Sequence, residues 1–236
     1  MNLKNLPLTN PESSQIYSDE VEALLPACIS EIQPQKKNAF RFSVYIEDRF
    51  LLGVSDHTLC QFNLAKGVEI TPLLYNDIVH EEYRWKIREY FIMLLSRRDH
   101  SKKELAQKAF LKGYPATETQ IILDDMKERG YIDDLAFAKK FVKDKFRFNK
   151  WGITKLKSEL IRKGITDNDI NDALKEISGE EVIEQIEMLV QKNRLKFLRT
   201  ESSKRKKKIF DFLLRKGYDS DVVLKHLDRL NNKIEV

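Results

Sequence analysis

The sequence predicts a mainly α-helical fold: an elongated array of three tandem three-helix repeats, preceded by a small α+β module and a flexible N-terminal arm. Three observations carry this. From about Glu81 onward apolar residues recur at helical spacing. Within that region a Lys-Gly pair returns at Lys112-Gly113, Lys163-Gly164 and Lys216-Gly217, the glycines 51 and 53 residues apart. Ahead of it, residues 40–54 alternate with period two instead.

Residues 1–37 carry Pro7, Pro11, Pro26 and Pro34 and a slight acidic excess, which predicts a flexible arm with at most a short helix near Asp19–Leu25. Residues 38–80 form the α+β module. Phe40, Phe42, Val44 and Ile46 share one strand face, and Phe50, Leu52 and Val54 resume it after a charged turn at Glu47-Asp48-Arg49. Ser55 then predicts the N-cap of a helix running to about Lys66, and Thr71-Pro72 the start of another through Val79.

The repeats are expected at 81–132, 133–178 and 179–236. Eight residues before each repeat glycine stand Leu105, Leu156 and Ile209, and three before it Phe110, Ile161 and Leu214. Nine, ten and thirteen after it come Ile122, Leu123 and Met126, then Ala173, Leu174 and Ile177, then His226, Leu227 and Leu230. Each glycine sits where a left-handed residue ends a helix. Ser101-x-x-Glu104, Thr117-x-x-Gln120 and Thr166-x-x-Asp169 have capping-box spacing, although the repeat alignment starts the helix at Pro115 rather than Thr117. A fifty-residue unit is near the lower limit for folding alone, so neighbouring repeats should support one another.

Signals for catalysis are missing. The eight glycines never lie closer than 12 positions, which excludes a P-loop or GxGxxG turn. His57, His80, His100 and His226 form no HExxH and have no metal-ligand spacing to Cys28 or Cys60. Two cysteines give no disulfide framework and suit a reducing cytoplasm. Asp124-Asp125 diverge by about 100° on a helix and cannot share a metal, and Asp133 is placed as an N-cap. No enzyme, cofactor or metal is expected. No apolar run approaches the ~20 residues of a membrane span, and a monomer is expected.

Net charge is only +5, but it is unevenly spread. Between Lys192 and Lys216 stand eleven cations against Glu201 and Asp211, densest at Lys204, Arg205, Lys206, Lys207 and Lys208 and reaching Arg215 and Lys216. A second group, Lys139, Lys140, Lys143, Lys145, Arg147 and Lys150, is interleaved with Phe141, Phe146, Phe148 and Trp151, and Lys155, Arg162 and Lys163 follow it as further candidates. A third comprises Arg97, Arg98, Lys102 and Lys103. The groups fall near the starts of second helices, so they are candidates for contact with polyphosphate or an acidic protein groove; the plain alternative is a solvated helix face.

The stretches Arg97-Arg98-Asp99-His100-Ser101-Lys102-Lys103-Glu104-Leu105 with Lys112-Gly113-Tyr114, then Gly130-Tyr131-Ile132-Asp133-Asp134 with Phe137-Ala138, then Gly152 with Leu156, Leu160 and Arg162-Lys163-Gly164-Ile165, resemble the motifs of the RecX family, regulators of the RecA recombinase. The likeness covers about 85–230, and the hairpin at 40–54 is similar to one in longer members; the extended basic linker of the third repeat and the arm depart from it. The resemblance implies a modular helical array without enzymatic activity. It also implies a cytoplasmic, mostly inhibitory modulator that binds RecA and the groove of the RecA–DNA filament and acts on recombination, repair and the SOS response. Two alternatives stand beside it: direct binding of single- or double-stranded DNA by the basic faces, with effects on RecA secondary, and a scaffold for another acidic protein.

Overall fold

The computed structural model describes residue 21, residues 24–36 and residues 38–234. The arm's first twenty residues, and most of the short helix expected at 19–25, lie outside them. The described chain is mainly helical, with a small antiparallel sheet module before tandem three-helix units. It divides into two compact units: one runs to Asp99 and includes Leu105–Tyr131, and the other comprises His100–Glu104 and the chain from Ile132.

In the first unit β1 (Ala27–Cys28) pairs with β5 (Glu69–Ile70), while β2 (Glu31–Gln35), β3 (Asn38–Ile46) and β4 (Arg49–Ser55) form an antiparallel sheet in that order. The expected hairpin is β3–β4, turning at Glu47 and Asp48, both with positive φ (45° and 62°). Its alternation puts Val44, Ile46, Leu52 and Val54 in the core, with Ile29, Ile70 and Ile78. A register shift after Val44 breaks the pattern, so that Phe50 lies exposed and Leu51 is buried; Phe40, at the start of β3, is exposed as well. β1 and β2 correct the reading of 1–37 as arm. Pro34 and the acidic composition suggested no strand, yet Ile32 pairs with Val44 along an edge strand, where proline is tolerated.

Ser55 caps α1 (Asp56–Gln61) through a hydrogen bond from the Thr58 N–H, but the helix stops five residues before the expected end, with Asn63 in the left-handed region (φ 49°). Thr71 and Pro72 start α2 (Pro72–Leu95) as expected. It does not stop at Val79: with no glycine or proline to break it, one helix of 24 residues serves both the module, through Tyr75 and Ile78, and the first repeat, through Ile87, Phe91 and Leu94. α3 (Lys102–Leu111) and α4 (Ala116–Glu128) complete that repeat, burying Leu105, Ala109, Ile122, Leu123 and Met126. Pro115, not Thr117, is the N-cap of α4.

The second unit holds α5 (Asp134–Arg147), α6 (Ile153–Arg162) and α7 (Asp167–Leu174), then α8 (Gly179–Lys192), a short α9 (Arg194–Leu198), α10 (Ser202–Lys216) and α11 (Ser220–Lys233). Asp133 caps α5, Thr166 caps α7, and Ser178 with Glu181 closes a full capping box on α8. One core gathers Ala138, Val142, Leu156, Leu160, Ile170 and Ala173; the next gathers Ile186, Phe197, Ile209, Leu213, Val223 and Leu230.

Two joints inside this unit follow one plan. The Lys-Gly turn closing the second helix of a repeat receives the first turn of the preceding repeat's second helix. At one joint the Ser101 hydroxyl donates to the Lys163 carbonyl (2.8 Å), Glu104 pairs with the Lys163 ammonium, and Gly164 lies against the Lys103 side chain. At the other, the N–H groups of Gly152 and Thr154 donate to the carbonyls of Lys216 (2.9 Å) and Gly217 (3.0 Å), and Gly217 lies against Lys155. Tyr218 locks this joint: its hydroxyl donates to Gln185 Oε1 (2.6 Å), whose amide donates to the Phe146 carbonyl (2.9 Å). Burial pushes the Tyr218 phenol well above its usual pKa, so it stays a donor.

Candidate partner-binding faces

The cations singled out in the sequence separate into groups according to what their elements do. Joint-building takes one set. The aliphatic stems of Lys103 and Lys155 pack on the glycines, residue 103 remaining exposed, and Lys163 and Lys216 supply the accepting carbonyls. Lys102 receives Asp134 at its backbone N–H (2.9 Å), and the Lys150 carbonyl, in a residue with φ 55°, sits 3.3 Å from the Tyr218 hydroxyl.

The aromatic residues between them form a stripe. Phe137 stacks on Phe141 (ring centroids 6.2 Å), which meets Trp151 edge-on (6.1 Å). Lys145 lies over Phe141 and Trp151, Lys155 over Trp151 at 4.5 Å, and Lys163 over Phe137 and Phe141. Cation–π contact thus holds these ammoniums against the repeat. Lys145 belongs to the second basic group of the sequence, and its spacing from Phe141 (i, i+4) is the local signal for such a contact.

A second set is tied up in local ion pairs: Lys139 with Glu176, Arg162 with Glu159, Lys204 with Glu201, and Lys206 with Asp228. These are mostly exposed pairs of small worth. Lys208 donates to the Thr200 hydroxyl. Arg98 donates to the Asp99 carbonyl. Arg205 turns inward, only 9% exposed, although it sits in the middle of the basic run.

The remaining candidates, Arg97, Lys143, Arg147, Lys207 and Arg215, are exposed and form no ion pair among the described residues. Lys157 joins them from the solvent face of α6. Beside Arg147, Phe148 is 80% exposed, whereas Phe146 is buried and Phe141 and Trp151 are half-buried. The loop carrying Phe148 is anchored by Gly152, Lys216 and Tyr218 through the bonds of the second joint.

None of this assembles a reaction centre. Among the described residues no three His, Cys, Asp or Glu side chains converge as metal ligands, and no helix is long and apolar enough to cross a membrane. Cys28 and Cys60 are free and exposed. The buried carboxylates serve structure: Glu82 accepts from the Ser55 N–H and pairs with Arg41, and Glu118 bridges His80 and Arg84. What the chain offers is helical surface carrying accessible positive charge.

Fold and surface together define a helical-repeat protein with exposed cations on its second helices. Family models match three segments: the "Regulatory protein RecX N-terminal domain" at residues 27–71, "RecX, second three-helix domain" at 133–174, and "RecX, third three-helix domain" at 180–227. A regulatory protein RecX from Leuconostoc mesenteroides is 31% identical over 86% of this chain and 75% of its own length. One from Clostridioides difficile is 28% identical over 86% and 96%. A crystal structure of a regulatory protein RecX superposes with a TM-score of 0.71 at 26% identity, covering 84% of this chain and 97% of the other. A RecX from Lactobacillus salivarius, at 21% identity and TM-score 0.57, shares the fold. The chain belongs to the RecX family of regulatory proteins.

Proposed function

We propose that this protein is a non-enzymatic modulator of RecA, mostly an inhibitor, that binds the groove of the RecA–DNA filament in the cytoplasm and so acts on recombination, repair and the SOS response. The observation that carries the proposal is the recurrence of exposed cations on the second helices of a chain that belongs to a family of regulatory proteins. Lys157 stands on α6, and Lys207 and Arg215 on α10, with Lys103 at the start of α3. A filament repeats its surface, so several repeats engage several subunits, and each contact after the first is made at high effective concentration. Weak contacts of this kind favour the polymer over free protomers. Added to RecA on single-stranded DNA, the protein lowers ATP turnover and strand exchange; if both are unaffected over a range of stoichiometries, the proposal fails.

A second reading, direct nucleic-acid binding, is favoured by the anchored loop at 147–151. Arg147 and Lys143 suit phosphate, and exposed Phe148 suits a base face. Binding to bare DNA that is as tight as to filament, and that falls steeply with salt, would support it instead.

A further inference from the structure

The apolar position three residues before each repeat glycine is not core. Phe110 is 69% exposed, Ile161 51% and Leu214 39%, while the position five residues earlier in the same helices, Leu105, Leu156 and Ile209, is fully buried. One exposed apolar side chain is unremarkable on any protein. Here the same helix position carries one in all three repeats, and Phe110 and Ile161 leave half or more of their surface in water. Leu111, 81% exposed, enlarges the first.

The surroundings are cationic. Residues one, three, four and seven positions away on a helix share or border its face. Around Phe110 these include Lys103; around Ile161, Lys157 and Arg162; around Leu214, Lys207 and Arg215. Asp211, half-buried, is the single acidic residue at these positions. Each second helix therefore presents a large apolar group with one or two cations at helix-neighbour positions, the arrangement of an interface anchor with a charged rim.

We infer that Phe110, Ile161 and Leu214 are the anchoring residues of these faces, each filling an apolar pocket rimmed by carboxylates on one subunit of a repeating protein partner. The inference rests on the RecA-filament reading and adds the chemistry of the contact: the rim steers and the apolar group holds. A nucleic-acid backbone has no such pocket, and the charge complementarity selects an acidic protein surface over a basic or neutral one. Burial of apolar area is not screened by salt, so an anchored complex keeps much of its affinity at ionic strengths that remove phosphate contacts.

The test is binding of the full-length protein to RecA–single-stranded DNA filaments at low and raised salt. It compares wild type with Phe110→Ser/Ile161→Ser/Leu214→Ser and with Lys103→Gln/Lys157→Gln/Lys207→Gln. The serine variant is expected to lose at least about tenfold in affinity at both salts. The glutamine variant is expected to lose affinity mainly at low salt. If the triple serine variant fails to fold by circular dichroism, Phe110→Ser and Ile161→Ser alone give the readout, each expected to weaken binding several-fold. Wild type that binds while the folded serine variants bind equally well overturns the anchors and leaves the filament reading standing. Wild type that does not bind filament at all overturns both.

Discussion

The backbone N–H of Gly152 donates to the carbonyl of Lys216 at 2.9 Å, which sets the start of one repeat's second helix directly on the end of the next repeat's. A Cβ at residue 152 would overlap the Gly217 carbonyl, and one at Gly217, already at φ 88°, would overlap Lys155. Gly152→Ala is therefore expected to destabilise the second unit by about 1–3 kcal/mol, the scale of overpacking. Gly179→Ala, where nothing lies within 4 Å of the new methyl, is expected to be neutral or slightly stabilising. Urea denaturation of the two variants side by side checks the contrast.

The hydroxyl of Tyr218 is the polar counterpart of that packing. Tyr218→Phe leaves Gln185 Oε1 without its 2.6 Å donor in a buried site, and a loss of about 1–3 kcal/mol is expected. An unchanged midpoint and slope in urea would show that water or a neighbour replaces the bond.

Within α6, Leu156 and Ile161 should behave oppositely. Leu156→Ala, at a fully buried position, is expected to cost about 2–5 kcal/mol, and Ile161→Ala less than about 0.5 kcal/mol. Thermal unfolding of both variants reads the difference. A cost at Ile161 comparable to that at Leu156 would make it core and remove it as an anchor.

The basic run at 204–208 divides in the same way. Lys207→Ala is expected to leave stability within about 0.5 kcal/mol while weakening partner binding, since the side chain is exposed. Arg205→Ala is expected to lower stability by about 1–3 kcal/mol through lost packing of its buried stem. Denaturation and filament binding measured on both variants separate charge from packing.

Much of this architecture was written in local signals. The Lys-Gly turns end helices in left-handed glycines (φ 77°, 80° and 88°), Thr71-Pro72 opens a helix, Asp133 caps one, and period two placed β3 and β4. The misses have a shared cause, for they depend on partners distant in sequence. β2 contains a proline and acquires strand character by pairing with β3, and α2 continues past Val79 because no residue there breaks it and two cores in turn give it a buried face. The cations were legible as a composition, but their division was not. Whether Lys155 faces a partner or an adjacent glycine, or Arg205 faces solvent, depends on tertiary contacts that charge counting does not contain. Spacing alone likewise does not separate Phe110, Ile161 and Leu214 from Leu105, Leu156 and Ile209, although the first three leave much of their surface exposed and the second three are fully buried.

Preference for the filament is the quantity that bears most directly on the whole account. Equilibrium binding of the labelled protein, measured at one moderate salt concentration to RecA–single-stranded DNA filament, to free RecA and to the same DNA alone, is predicted to be tightest for filament by at least about tenfold, the expected effect of several contacts acting together. Equal affinity for bare DNA and filament, or no detectable binding to filament, would contradict it.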